Sequence, residues 1–180
     1  MMKKVIAITV VLLGLLVVSC SSKQSLQEYY VDNTENPNFL FFDVPASIVN
    51  LDKSHLTENE RMALGSLKKL NIMAFKKTME NTGEYEVEKT KVNTILNTEE
   101  YTELMKMNMD FGRATIKYKG DDDAIDEVII FGDNKEKGFA LIRVLGENMN
   151  PANFAQLVQA IQKSDFNGEG LEQLGALFKD

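Results

Sequence analysis

The sequence is poor in the residues on which most catalytic and metal sites depend. It holds one cysteine, Cys20, one histidine, His55, and no tryptophan in 180 residues. A single cysteine excludes an intramolecular disulfide, so the stability of the fold must come from packing. Serine and cysteine nucleophiles usually need a histidine base, and we interpret His55, in a polar stretch, as a solvated surface residue. The sequence also lacks a His-Glu-x-x-His zinc motif and glycine-rich nucleotide-binding strings. We therefore expect a protein that is not an enzyme and uses no cofactor.

Positive charge is also scarce. The chain has 27 acidic and 20 basic side chains, for a formal net charge of −7. An acidic domain repels phosphate backbones, so we do not expect a nucleic acid partner. The length suits one domain with a hydrophobic core and is short for two.

The N-terminus carries the clearest signal in the sequence. Lys3 and Lys4 precede an apolar run, Val5 to Val18, which is shorter than the roughly 20 residues that a membrane-spanning helix needs. The run ends in Val-Val-Ser-Cys, which resembles the lipobox of bacterial lipoproteins. This resemblance implies that residues 1–19 are a cleaved signal peptide and that Cys20 is lipidated, anchoring the protein to a membrane. A plain signal peptide or an uncleaved anchor are the alternatives.

The location can be predicted one step further by resemblance. Ser21 follows the cysteine, unlike the aspartate that retains lipoproteins at the inner membrane, and the next residues lack the acidic cluster of a surface-export signal. We therefore predict a lipid-anchored protein of the cell envelope, at the outer membrane and facing the periplasm. Residues 20–36 form the lipidated tether with a short helix, residues 37–164 form a single domain, and residues 165–180 are a C-terminal loop and short tail.

Helix-start and strand signals divide the first part of the domain. Ser25 with Glu28, and Thr57 with Glu60, have the spacing of capping boxes and predict two short helices. Further patterns predict strands at Phe39 to Val44 and Leu70 to Phe75, helical turns at Ala46 to Leu51, a helix from Glu84 to Leu96, and a restarted helix through Leu104.

Alternating apolar residues predict strands in the C-terminal half. The alternation changes phase by one residue at Gly112, which is typical of a β-bulge within one strand. Strands at Ile125 to Phe131 and Phe139 to Leu145 follow after short turns, so the three pair as an antiparallel meander. Pro151 then suits the first turn of a helix. The expected fold is an α+β domain, with helices packed on one face of an antiparallel sheet.

A set of apolar strand positions and turn residues occurs in the second half of the chain at particular intervals: Tyr101, Glu103, Leu104, Met105, Ile125, Asp126, Glu127, Phe139, Leu141, Ile142 and Gly146. This set resembles domain-of-unknown-function family 4252, an uncharacterised family of small exported proteins and lipoproteins common in Bacteroidota. The resemblance extends over about Pro37 to Ile161 and implies the fold class and the envelope location. It brings no activity and no catalytic residues.

Two acidic segments are weak candidates for calcium sites. Asp121, Asp122 and Asp123, with Asp126 and Glu127 nearby, supply hard oxygen ligands, although aspartates are ordinary residues of hairpin turns.

Asp165, Asn167 and Glu169 match the first ligand positions of an EF-hand loop, with Gly170 at its sixth position. Ala176 replaces the bidentate glutamate at the twelfth position, so a loop that ends a helix is the simpler interpretation.

Met105, Met107 and Met109 have the spacing of thioether ligands for Cu(I) on a strand. Alternate methionines also simply face a hydrophobic core, and we favour this interpretation.

The favoured hypothesis is a non-enzymatic envelope lipoprotein, a binding or interaction module anchored through Cys20, with a possible envelope protein as its partner. The alternative is a metal-responsive periplasmic protein that binds calcium or copper. A hydrolase that uses carboxylates alone is a third and weaker hypothesis.

Overall fold

A computed structural model of the chain describes residues 23–48, 53–109, 112–121 and 124–163. Within these residues, six strands form one antiparallel sheet in the order β1-β2-β6-β5-β4-β3. The strands are β1 (Phe39–Pro45), β2 (Leu67–Lys76), β3 (Thr102–Met109), β4 (Gly112–Asp121), β5 (Ala124–Asn134) and β6 (Gly138–Met149). The helices are α1 (Leu26–Asp32), α2 (Glu58–Ser66), α3 (Thr82–Leu96) and α4 (Pro151–Lys163), with 3-10 turns at Ala46–Ile48 and Lys53–His55. None of the described helices is long and apolar enough to cross a membrane.

The α+β fold and the C-terminal meander are confirmed, with β4, β5 and β6 paired in sequence. β3 adds a further strand to this meander, because β3 and β4 are separate and pair from Thr102–Tyr118 to Met109–Gly112. The predicted bulge at Gly112 and the helix through Leu104 were therefore wrong. The alternation restarts at Gly112 because the chain reverses there. Gly112 has a φ of 151°, and a Cβ atom would collide with the carbonyl oxygen of Asp133.

The helices cover both faces of the sheet, which corrects the expectation that they pack on one face. We call the two sides face A, which packs against α1 and α3, and face B, which packs against α4. The reason lies in β2, where Leu70 to Phe75 is buried without alternation, as a central strand covered on both sides requires. Buried on face A are Leu26, Tyr29, Phe39, Met73, Phe75, Tyr85, Val92, Ile95, Leu96, Tyr101, Ile129, Phe131, Phe139 and Leu141. Buried on face B are Ala46, Leu70, Ile72, Ile116, Tyr118, Ile125, Val128, Val144, Met149, Phe154 and Val158.

Both predicted capping boxes are formed. In α1, the Oγ atom of Ser25 accepts from the N–H of Glu28 at 3.2 Å, and the carboxylate of Glu28 accepts from the N–H of Ser25 at 2.7 Å. Thr57 and Glu60 make the same reciprocal bonds at the start of α2. Leu26 in α1 is 1% exposed, so this helix is part of the core next to the N-terminal tether.

Candidate binding surface

Most of the residues predicted for a metal site fall outside the described part of the chain. Asp121 is the last residue of β4 and is exposed. Among the described residues, no group of three or more histidine, cysteine, aspartate and glutamate side chains could hold a metal ion. The residues that lie outside the described ranges are Cys20, Asp122, Asp123, Asp165, Asn167 and Glu169. The calcium hypothesis thus stays a prediction.

Two methionines of β3, Met105 and Met107, contact the core, and the side chain of Met109 lies outside the described part of the chain. Met105 pairs with Ile116 and Met107 pairs with Ala114 in the neighbouring strand. Both side chains are partly buried against the apolar cluster of face B. This packing is what the hydrophobic interpretation of their alternation predicts.

Polar residues cluster on face A at the end of the sheet nearest the N-terminal tether. Asp43, Asn71 and Arg143 occupy register positions next to one another on β1, β2 and β6. Glu127 lies on the same face of β5, two residues before the buried Ile129. We call these four residues the polar end of face A.

Arg143 and Glu127 form a bidentate ion pair at the centre of this polar end. The Nε atom of Arg143 donates to Oε1 of Glu127 at 2.6 Å, and Nη2 donates to Oε2 at 3.1 Å. The two side chains are 12% and 11% exposed, so the pair is largely shielded from water. Burial alone would lower the pKa of Arg143, but the hydrogen bonds and negative charge of Glu127 outweigh this effect and raise it. The guanidinium therefore stays charged and is held in one orientation.

Helix α1 covers the ion pair of Arg143 and Glu127 on face A. The Nη1 atom of Arg143 donates to the side-chain oxygen of Gln27 at 2.7 Å, and its guanidinium carbon lies 5.9 Å from the centre of the Tyr30 ring. The hydroxyl of Tyr30 is shielded from solvent, and within the described residues it has no hydrogen-bond partner. Burial, followed by the charge of Asp43, raises the pKa of Tyr30, so the phenol remains a neutral donor. An unsatisfied hydroxyl of this kind can donate a hydrogen bond to an acceptor atom of a ligand.

Asp43 marks the outer border of the polar end. Its carboxylate accepts from the Nζ atom of Lys69 at 2.7 Å and from the side-chain amide of Asn71. The hydrogen bond from Lys69, then that from Asn71, lowers the pKa of Asp43. Asp43 is thus ionised, its charge is balanced by Lys69, and Asn71 donates a hydrogen bond to it.

A cleft of about 500 Å³ opens beside the polar end. Tyr101 lines the cleft and also senses the charge of Glu127 in the polar end: burial, followed by this charge, raises the pKa of Tyr101 to about 12. The Nζ atom of Lys119 lies 6.0 Å from the centre of the Tyr101 ring. Lys119 also donates to Glu100 at 2.7 Å, on the rim of the cleft. The lining combines charges of both signs with amides and one aliphatic side chain: Lys23, Gln24, Ser25, Ile95, Asn97, Thr98, Glu99, Glu100 and Tyr101.

This arrangement can recognise a ligand by hydrogen bonds and ion pairs, since it presents fixed donors and acceptors around a concave wall. Local sequence patterns do not indicate the polar end. They place Glu127 with the aspartates of the β4–β5 turn, whereas the carboxylate of Glu127 bonds to Arg143. The available signal was a charged residue inside an apolar strand, Arg143 between Ile142 and Val144.

A family described as a domain of unknown function (DUF4252) matches residues 29–157, well over half of the chain. The chain belongs to this DUF4252 family. The matched segment begins within α1 and ends within α4, so it includes the polar end and most of the cleft. No curated protein and no solved structure matches the sequence.

Proposed function

We propose that this DUF4252 protein is a lipid-anchored envelope lipoprotein without enzymatic activity, and that its domain is a binding module. The binding surface is the cleft together with the polar end of face A. The lipobox-like sequence before Cys20 supports the anchor, and Ser21 after it supports an outer-membrane location facing the periplasm.

The observation that carries this proposal is the position of Lys23. This residue lines the cleft and follows Cys20 by only three residues. An extended chain reaches at most about 3.3–3.6 Å per residue, so the Cα atom of Cys20 lies within roughly 11 Å of that of Lys23. A lipid on Cys20 therefore keeps the mouth of the cleft near the membrane surface, and a partner that enters the cleft must be accessible there.

The anchor is tested by replacing the cysteine in the full chain. Cys20→Ala should abolish incorporation of a labelled fatty acid and move the protein from the membrane fraction to the soluble fraction. A variant that stays firmly in the membrane fraction would overturn the lipoprotein proposal.

The binding surface is tested by photocrosslinking in intact cells. A photoreactive residue at Asn97, an exposed position in the cleft wall, should give a defined crosslinked product, because any partner in the cleft contacts it. The matched control is Met79, which is 97% exposed and lies between β2 and α3, away from the cleft. Equal products from both positions, or none from Asn97, would contradict a binding role for this surface.

A further inference from the structure

The two edges of the sheet differ in how well they are protected against pairing with another strand. β3 has a register shift between Glu103 and Met105 and carries an exposed ion pair, Lys106 to Glu103 at 3.0 Å. Such irregularities and charges block edge-to-edge pairing. β1 pairs with β2 over seven consecutive positions without a shift, and Asp43 is its only charged residue. β1 is therefore a regular, mostly apolar edge.

The ladder between β1 and β2 shows which backbone groups of β1 point outwards. The N–H of Lys76 donates to the carbonyl of Asn38 at 3.2 Å, so the backbone of Asn38 faces β2. The backbone N–H and C=O groups of successive residues in an antiparallel strand point to opposite edges, so the backbone groups of Leu40, Phe42 and Val44 also point towards β2. The backbone groups of residues 39, 41, 43 and 45 point away from the sheet.

Within the described part of the chain, two N–H groups on this outer edge are free to donate. The N–H of Phe39 is already bonded to the carbonyl of Asn36 at 3.1 Å, and Pro45 has no N–H. Phe41 and Asp43 remain, and in the described part of the chain the backbone N–H of neither has an acceptor. The donors thus flank Phe42 symmetrically, and the strand cannot extend a ladder beyond them on either side.

The free N–H groups of Phe41 and Asp43 match those of a second copy of β1 that runs antiparallel to the first. We propose that two copies of the chain pair through β1, antiparallel, with a two-fold axis at Phe42. Phe41 of one copy then lies opposite Asp43 of the other, and each N–H donates to the carbonyl across the axis. The next outward pair, Phe39 opposite Pro45, has no free donor, so the ladder ends where the donors end. The result is one continuous sheet across both copies.

The side chains on face B fit this pairing. Leu40 is 36% exposed, and Phe42 and Val44 are half-buried. The axis places Phe42 against its own symmetry mate and Leu40 against Val44, and aromatic and β-branched pairs of this kind stabilise antiparallel strands. On face A, the carboxylate of Asp43 forms an ion pair with Lys69 and accepts a hydrogen bond from Asn71, so the pairing brings no uncompensated charge to the interface.

A disulfide across the axis tests the proposed register in the full chain, purified in detergent. Residues that face each other without hydrogen bonds have Cα atoms about 4.5 Å apart, within the range that a disulfide spans. Phe42→Cys should therefore form a covalent dimer under mild oxidation, seen by non-reducing electrophoresis. Leu40→Cys is the matched control: it is more exposed, but its symmetry mate lies about 13 Å away along the strands. The unsubstituted chain, oxidised in the same way, shows whether Cys20 alone forms a covalent dimer.

Equal crosslinking of both variants, a crosslink to a different protein, or no crosslink at all would each overturn the proposed pairing. A second measurement avoids cysteine. The unsubstituted chain should have twice the mass of one chain by light scattering. Leu40→Lys should reduce it to one chain mass because it places a charge against Val44, whereas the exposed Met79→Lys should leave the dimer intact. A chain that is monomeric without substitution contradicts the proposal, and this outcome is independent of whether the cleft binds a partner.

Discussion

The two ends of face A are built on the same strands, yet different interactions hold them. At one end, which we call the aromatic end, the rings of Phe75 and Phe139 are stacked with centres 5.5 Å apart, and both side chains are fully buried. At the polar end, Arg143 continues the same face of β6 four residues after Phe139, and its charge is balanced by Glu127. The remaining rings of the aromatic end are Phe39, Tyr85 and Phe131.

The two ends also differ in the room that they leave for a ligand. The aromatic end gains its stability from excluded water and close packing, and a ligand could enter only by displacing side chains. Next to the polar end, the hydroxyl of Tyr30 has no hydrogen-bond partner within the described residues, and Tyr101 lines the neighbouring cleft. One end therefore stabilises the fold by packing, while the other adjoins the surface that we propose for binding.

The largest expected effect is at the aromatic end. Phe139→Ala should lower the free energy of unfolding by about 4 kcal/mol, because it removes a buried ring in contact with several others and leaves a cavity. Urea denaturation measures this loss. Val87→Ala is the control on α3: its side chain is 53% exposed, and its loss should be within about 0.5 kcal/mol. A mild effect of Phe139→Ala would show that the aromatic end is not the main source of stability.

At the polar end, Glu127→Met should lower the free energy of unfolding by about 3 kcal/mol, because it leaves the shielded guanidinium of Arg143 without a counter-charge. Adding Arg143→Met should recover much of this loss, since the unpaired charge is then gone. Glu147, whose side chain is 73% exposed and pairs with Lys68 at 3.5 Å, provides the control. Glu147→Met should cost less than about 1 kcal/mol. No recovery in the double variant would show that the pair does not act as a unit.

Stability at alkaline pH tests both ends, because Tyr85 belongs to the aromatic end and Tyr101 lies next to the polar end. The pKa of Tyr85 is raised to about 12, first by burial and then by its hydrogen bond to Asp133, and Tyr101 is raised to about 12 by burial and Glu127. The unfolded phenols ionise near pH 10, so the unfolded state loses protons first. The melting temperature should therefore fall between about pH 10 and pH 12. Tyr85→Phe should make this decrease in melting temperature smaller. An identical profile in this variant would exclude Tyr85 as a cause.

The smallest effect is expected at acid pH. The pKa of Asp43 is lowered by its hydrogen bonds to Lys69 and Asn71, so its contribution to stability is present above the unfolded pKa of about 3.9 and is lost as the pH falls through the folded value. Asp43 is more than half exposed, and solvent screening keeps this contribution small. Asp43→Asn should slightly reduce the drop in melting temperature below pH 4. An unchanged acid profile would show that the carboxylate adds nothing measurable.

Local signals allowed much of the fold to be predicted. The reciprocal bonds of Ser25 with Glu28 span three residues, and the apolar run of β1 ends at Pro45, so neighbouring residues alone specify both features. Local patterns failed where two elements look alike over a short stretch. The phase change at Gly112 is the same for a bulge and for a reversal of the chain, and only the pairing of β3 with β4 distinguishes them.

The lipobox-like segment before Cys20, the starts of the helices, most strands and the α+β class follow from the sequence, because each depends on residues adjacent along the chain. Three features required the three-dimensional structure: β2 pairs with both β1 and β6, helices cover both faces, and Arg143 contacts both Glu127 and Gln27. These contacts join residues that are distant in sequence: Gln27 and Arg143 are separated by 116 positions. Such pairings are selected by the packing of the whole sheet, which no local periodicity records.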